Sequence, residues 1–258
     1  MEYLMDEIEF FDCNAFFGMQ KMIYPGSFYK KEDLIERMAY YGIQKALVHH
    51  SMAREYDAEV GDDILIKELK DDTKLLPAWV VLPHHTGEFP SPDVLIERMK
   101  KSNVRAAILM PADYSSYGHS TEEWSCGELY QMLEDHKVPL FIAEDQLLSM
   151  NNLYKICSAH PKLNVILTNA TYRSSRDLFP LMKLFDHLFL ETSGYKAQDG
   201  IKEVCEKFGA DRLIFGSNMP LTSGASAVGM ITYADISREE KQMIASKNLE
   251  KLLGGVQF

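Results

Sequence analysis

The sequence predicts an α/β fold, a (β/α)8 TIM barrel, and three observations carry that reading. Short β-rich runs occur eight times along the chain. Amphipathic helical segments separate them, the pattern of repeated strand-helix units on a parallel sheet. The length of 258 residues and a hydrophobic content of 46% suit one large barrel core, so residues 1–258 are read as a single domain. An open doubly wound sheet is the alternative, but no GxGxxG or GxxxxGK[ST] loop follows the first strand.

The predicted strands are Ile8 to Cys13, Lys45 to His50, Leu75 to Leu82, Val104 to Met110, Val138 to Ile142, Asn164 to Thr168, His187 to Glu191 and Arg212 to Phe215. Helix signals fall between them. KEDLIERMAYYG sets Leu34, Ile35, Met38 and Ala39 on one stripe and ends at Gly42, suited to the left-handed backbone that stops a helix. In EYDAEVGDDILIKELKDD the acidic residues form a solvated face, with Ile64, Leu65 and Leu69 turned inward. SPDVLIERMKK offers Ser91 as cap and Pro92 as first helical residue, where its missing N–H is not needed. SREE near the C-terminus has capping-box spacing in Ser237 and Glu240.

Composition narrows the function. A formal net charge of -11 without a basic cluster argues against a nucleic-acid or anionic-membrane surface. A small-molecule ligand is expected instead, with a homo-oligomer left open. The opening MEYLMDEIEF has no basic start, and no apolar run reaches the roughly 18 residues of a bilayer span, so a cytoplasmic protein is expected. Cys13, Cys126, Cys157 and Cys205 are too scattered for a CxxC knuckle and read as buried reduced thiols.

In a barrel the strand ends form the mouth. His49 and His50, His84 and His85, Glu144 and Asp145, Thr171 to Arg173, and Glu191 to Ser193 all fall there. His49, His84 or Glu144 is the candidate base, since His titrates near neutrality and a carboxylate is the other common proton carrier. Adjacent residues on a strand face opposite ways, so one of each His pair at most turns to the barrel axis. Glu144 and Asp145 read equally as a cap for the helix in QLLSMNNLYKICSAH. Arg173 is the candidate anchor for a carboxylate or phosphate, or else a loop arginine paired with Asp177. Trp79 and Trp124 read as core contacts or substrate platforms.

Three segments, FDCNAFFG, DRLIFGSNMP and SREEKQMIASKNLEKLLG, together resemble the amidohydrolase superfamily, in particular its amidohydrolase-2 branch. There the first reads D-x-H-x-H-x-G and the second D-R-L-x-F-G-S-D-x-P. The resemblance implies a TIM barrel and metal-dependent hydrolysis, decarboxylation or hydration of small carboxylated substrates. It also implies where the metal ligands would fall: the paired histidines on Asn14 and Phe16, the bridging group near Ile108, the next histidines on or beside Ala143 and on Asn169, and the aspartate on Asn218. None of these residues is the family ligand. Phe and Ala donate nothing, and Asn offers only a neutral carbonyl, weak for zinc and no base near pH 7. The expectation is a barrel with no metal cofactor, in which Asn14, Asn169 and Asn218 are neutral hydrogen-bonding groups. The alternatives are an active metalloenzyme with relocated ligands such as His84, His119 and Glu144, and a non-catalytic binding protein on a barrel scaffold.

Overall fold

A computed structural model describes residues 8–70, 72–112 and 117–258. Residues 1–7, read above for a leader, and Asp71 of the acidic stretch lie outside the described residues. The strands are β1 (Phe10–Phe17), β2 (Ile43–His50), β3 (Leu75–Pro77), β4 (Trp79–Val81), β5 (Ala107–Leu109), β6 (Leu140–Ala143), β7 (Val165–Thr168), β8 (Leu188–Glu191) and β9 (Leu213–Ile214). All pair in parallel, in the order β1-β2-β3 and β4-β5-β6-β7-β8-β9. The run expected as one strand from Leu75 to Leu82 is one stave that changes partner at Ala78. There Ala78 N donates to Val48 O at 2.8 Å while the next residue, Trp79, donates to Ala106 O at 3.1 Å. Closure comes from β1 against the segment after β9: Cys13 N donates to Phe215 O and Phe16 N to Met219 O, both at 3.0 Å.

Strand parity decides what fills the barrel. Phe11, Cys13, Leu47, Ala78, Ala106, Phe141, Ile166 and Ile214 form one apolar cluster on the axis, stoppered by Leu249 and Leu253 of the C-terminal helix (Asn248–Gly254). Their strand neighbours Val48, Trp79, Ala107, Leu140, Ile142, Val165 and Leu167 belong to the other cluster, beneath the helices. The same period of two carries Leu47 to His49, Phe141 to Ala143 and Ile166 to Thr168 on the inner face at the C-terminal ends.

The helices follow the expected signals, with local corrections. α1 (Lys31–Tyr41) buries Leu34 and Met38 and stops at Gly42 with φ 73°. Ala39, placed on the inner stripe, is exposed. α4 (Pro92–Lys101) has Ser91 at its cap position, but the Ser91 side chain makes no capping hydrogen bond. The helix after β6, Met150–Ala159, is capped by Ser149 and Asn152, not by Glu144 or Asp145. Ser237 and Glu240 do form a capping box. Trp79 is buried in the core and Trp124 is 77% exposed. No helix among the described residues is long and apolar enough to cross a membrane.

Two helices after β2, α2 (Ser51–Glu55) and α3 (Ala58–Glu68), meet backbone to backbone. A Cβ on Gly61 would lie 1.9 Å from Ala53 N and 2.4 Å from Ala53 Cα. Gly61→Ala is therefore expected to lower stability by about 3 kcal/mol, the upper range for overpacking, because backbone cannot yield as a side chain can. Urea unfolding measures it.

Candidate active site

The axis ends in a cavity of about 50 Å³ at the C-terminal mouth, lined by residues that include Cys13, Asn14, His49, Arg54, Ile108, Met110, Phe141, Ala143, Thr168, Asn169 and Asn218. Beneath it lies a buried carboxylate. Glu191, at the end of β8, is fully buried, and its Oε2 accepts from Asn14 Nδ2 at 3.2 Å, Asn169 N at 3.1 Å and Ser193 Oγ at 2.9 Å. Its Oε1 accepts from Ser193 N. Gly216 makes room, since a Cβ there would stand 2.4 Å from Glu191 Oε1. Burial raises the Glu191 carboxyl from the ordinary 4.5 to about 6, opposed by these donors and reinforced by the Asp12 charge.

An ionised Glu191 can only accept, so it orders the amides above it. Asn14 must present Nδ2 to it, and the same nitrogen donates to Asn169 Oδ1 at 3.1 Å. That leaves Asn14 Oδ1 and Asn169 Nδ2 without a protein partner among the described residues. The Asn218 side chain likewise has none. Asn169 and Asn218 sit at φ 57° and 56°, a left-handed backbone that Asn adopts more readily than most residues.

A second carboxylate ties the two sides of the mouth. Asp12 is fully buried, and its Oδ1 accepts from Asn14 N at 3.0 Å and Ser217 N at 2.9 Å. Its Oδ2 accepts from Ser217 Oγ. One side chain thus anchors the backbones that carry Asn14 and Asn218.

The remaining wall is a stack. Phe16 packs on His49 with ring centroids 5.0 Å apart and 26° between planes, and Arg54 Cζ lies 4.8 Å from the Phe16 centroid. His49 is 5% exposed, and its buried Nε2 has no hydrogen-bond partner among the described residues. Burial, then the neighbouring Arg54 and His50, holds its pKa well below the ordinary 6.5, so the ring is neutral at pH 7. His50 turns the other way, accepting from Met52 N at 3.1 Å and lining a separate surface pocket with Lys31 and Glu68. Parity holds for this pair. Cys13 remains a thiol, its pKa pushed well up by burial and by Glu191 and Asp12.

Of the residues singled out in the sequence, Asn14, His49, Asn169 and Asn218 come together around the cavity; Glu144, His84 and Arg173 do not line it. Glu144 accepts from Thr171 N at 2.8 Å and from Ser174 Oγ, which holds the loop after β7. His84 lies 3.5 Å from Glu128 and packs on His85. His119 Nδ1 is 2.6 Å from Tyr117 O. Arg173 is exposed in the short turn Tyr172–Ser174. Sequence reasoning passed over Asp12 and Arg54. The signal for Arg54 was its place one turn into the helix that leaves the mouth end of β2; the signal for Asp12 was the first residue of the D-x-H-x-H pattern.

The Amidohydrolase family model Amidohydro_2 matches residues 32–255. The chain belongs to the amidohydrolase-2 family. The match contains DRLIFGSNMP and the terminal helix, while FDCNAFFG lies before it. Among curated protein sequences none matches this amidohydrolase-2 chain. Solved structures similar to it include an uncharacterised TIM-barrel protein of Bordetella bronchiseptica, with TM-score 0.76 at 15% identity over 96% of this chain and 99% of that one. A 2,6-dihydroxybenzoate decarboxylase from Rhizobium gives 0.74 at 12% over 96% and 99%. A dihydroxybenzoic acid decarboxylase from a Polaromonas species, with bound manganese and the inhibitor 2-nitroresorcinol, gives 0.72 at 13% over 96% and 97%. At these identities the likeness is one of fold.

Proposed function

We propose that this amidohydrolase-2 chain binds a small carboxylated metabolite at the strand-end cavity and does so without a catalytic metal. The observation that carries the reading is the charge on the cavity wall: among the described residues Arg54 is the one cationic side chain in the lining, beside four neutral amides (Asn14, Gln146, Asn169 and Asn218), with the carboxylate Asp145 at the exposed rim. Arg54 takes the anchoring role that the sequence suggested for Arg173, because a forked guanidinium pairs with a carboxylate only where it can reach it. Its contact with the Phe16 face holds that fork in place. Asn169 Nδ2 and the Asn218 amide supply neutral donors to the rest of the ligand.

The residues at the family's ligand positions do not fit a catalytic metal. Phe16 and Ala143 have no donor atom, and Asn14 turns its Nδ2 hydrogens, not a lone pair, toward Asn169 and Glu191. Asn218 cannot take a proton near neutral pH. Among the described residues no group of three His, Cys, Asp or Glu stands together as a ligand set. His49 is the proposed proton carrier of the cavity, because a neutral imidazole can accept at one nitrogen and donate from the other.

Elemental analysis of dialysed protein is expected to find well under one zinc, manganese or iron per chain. Small carboxylates at about 100-fold their dissociation constant are expected to add about 2.7 kcal/mol of stability, and Arg54→Ala to abolish that gain. Near-stoichiometric metal that survives dialysis overturns the metal-free reading. An undiminished gain in Arg54→Ala removes the anchor.

A further inference from the structure

The cavity is small for a ligand site. It measures about 50 Å³, whereas an engineered protein cavity that admits one benzene ring measures about 150 Å³, and a single water needs about 10–15 Å³. An aromatic ring does not fit, and three to five small atoms do. The walls that set this limit are themselves packed. Phe141 is 2% exposed and continuous with the apolar barrel interior, Ile108 packs on the same cluster, and the Phe16 ring backs His49 and fills the space behind it.

Charge narrows the ligand further. Arg54 supplies one positive charge, while Asp145 lines the exposed rim and Glu191 lies beneath the amides. One carboxylate on the ligand is matched; a second would face only carboxylates and amides. The hydrogen-bonding groups that remain in the lining, Asn169 Nδ2 and the Asn218 amide, suit a hydroxyl or carbonyl oxygen next to that carboxylate.

We propose that the site takes a monocarboxylate of one or two carbons, such as formate, acetate or glycolate, and excludes aromatic acids. The proposal rests on the reading of Arg54 as anion anchor. It separates this chain from the structural neighbours whose names specify dihydroxybenzoate.

The test measures the urea unfolding midpoint of the full chain and of Arg54→Ala with the sodium salts of formate, acetate, glycolate, chloride, benzoate or 2,6-dihydroxybenzoate at matched concentrations, each compared with the same chain in dilute buffer alone. Acetate or glycolate is expected to raise the midpoint of the wild type and not of Arg54→Ala, with benzoate at least tenfold weaker. Benzoate or 2,6-dihydroxybenzoate binding as tightly as acetate, and losing that binding in Arg54→Ala, overturns the size limit and leaves the anion site standing. An Arg54-dependent rise with chloride equal to that with acetate overturns the carboxylate assignment. No Arg54-dependent rise with any acid overturns the anion site itself, and the size limit with it.

Discussion

Glu191→Ala is expected to cost about 3–5 kcal/mol of unfolding free energy, the range for breaking a buried, hydrogen-bonded charged network. The substitution deletes one acceptor group and strands four donors at once: Asn14 Nδ2, Asn169 N, Ser193 N and Ser193 Oγ. Two of these are backbone groups in a buried corner where the close approach of Gly216 leaves little space. Glu191→Gln is expected to cost less, about 1–3 kcal/mol, because one oxygen remains to accept and only part of the network fails. If both variants unfold at the wild-type urea midpoint, the carboxylate is not what holds the mouth together.

The same residue predicts a pH dependence of definite sign. In the unfolded chain Glu191 ionises near 4.5, and in the fold burial raises it to about 6. Between those values the folded state keeps a proton that the unfolded state has lost, so stability falls as pH rises through the window and then levels off. About 1.5 pH units correspond to about 2 kcal/mol. The difference between wild type and Glu191→Gln, followed by urea unfolding from pH 4 to pH 7, isolates this term. Wild type is expected to lose about 2 kcal/mol more than the variant over that range. A difference that stays flat, or that grows in the wild type's favour as pH rises, rules out a raised carboxyl here.

The order of strands and helices was legible because a barrel repeats one local pattern, and each repeat carries its own stop and start signals. Gly42 stops α1 with the backbone expected of it, and Ser237 with Glu240 caps the last helical segment as its spacing foretold. Parity also told His49 from His50, since one strand residue separates the axis from the outer layer. What stayed hidden was contact between residues far apart in sequence. That Glu191 sits under Asn14 and Asn169 depends on three strands 22 to 177 residues apart. Arg54 reads locally as one more helix-surface cation, and only the fold brings it over Phe16. Glu144 illustrates the opposite error: a carboxylate at a strand end looks catalytic or helix-capping, yet its oxygens are engaged with Thr171 and Ser174.

Asp12 is where closure of the barrel and shape of the site become one question. Its two oxygens accept from Asn14 N on β1 and from both Ser217 N and Ser217 Oγ beside β9, so one carboxylate sets the distance between the strands that carry Asn14 and Asn218. Asp12→Ala leaves those donors buried and unmatched, and is expected to cost about 3 kcal/mol. The alanine chain still has the backbone bonds from Cys13 to Phe215 and from Phe16 to Met219, so closure itself is expected to survive, with the amides no longer held in register. Acetate affinity should then fall at least tenfold, because displacing positioned groups by a fraction of a residue spoils a site of only about 50 Å³. Asp12→Asn keeps an oxygen for the two backbone donors and is expected to stay within about threefold of wild type in affinity, at a stability cost of about 1 kcal/mol. Paired urea unfolding curves with and without acetate read both quantities from the same samples. Full acetate affinity in a destabilised Asp12→Ala chain would show that Asn14 and Asn218 are positioned by the backbone alone, and that Asp12 serves the barrel without serving the site.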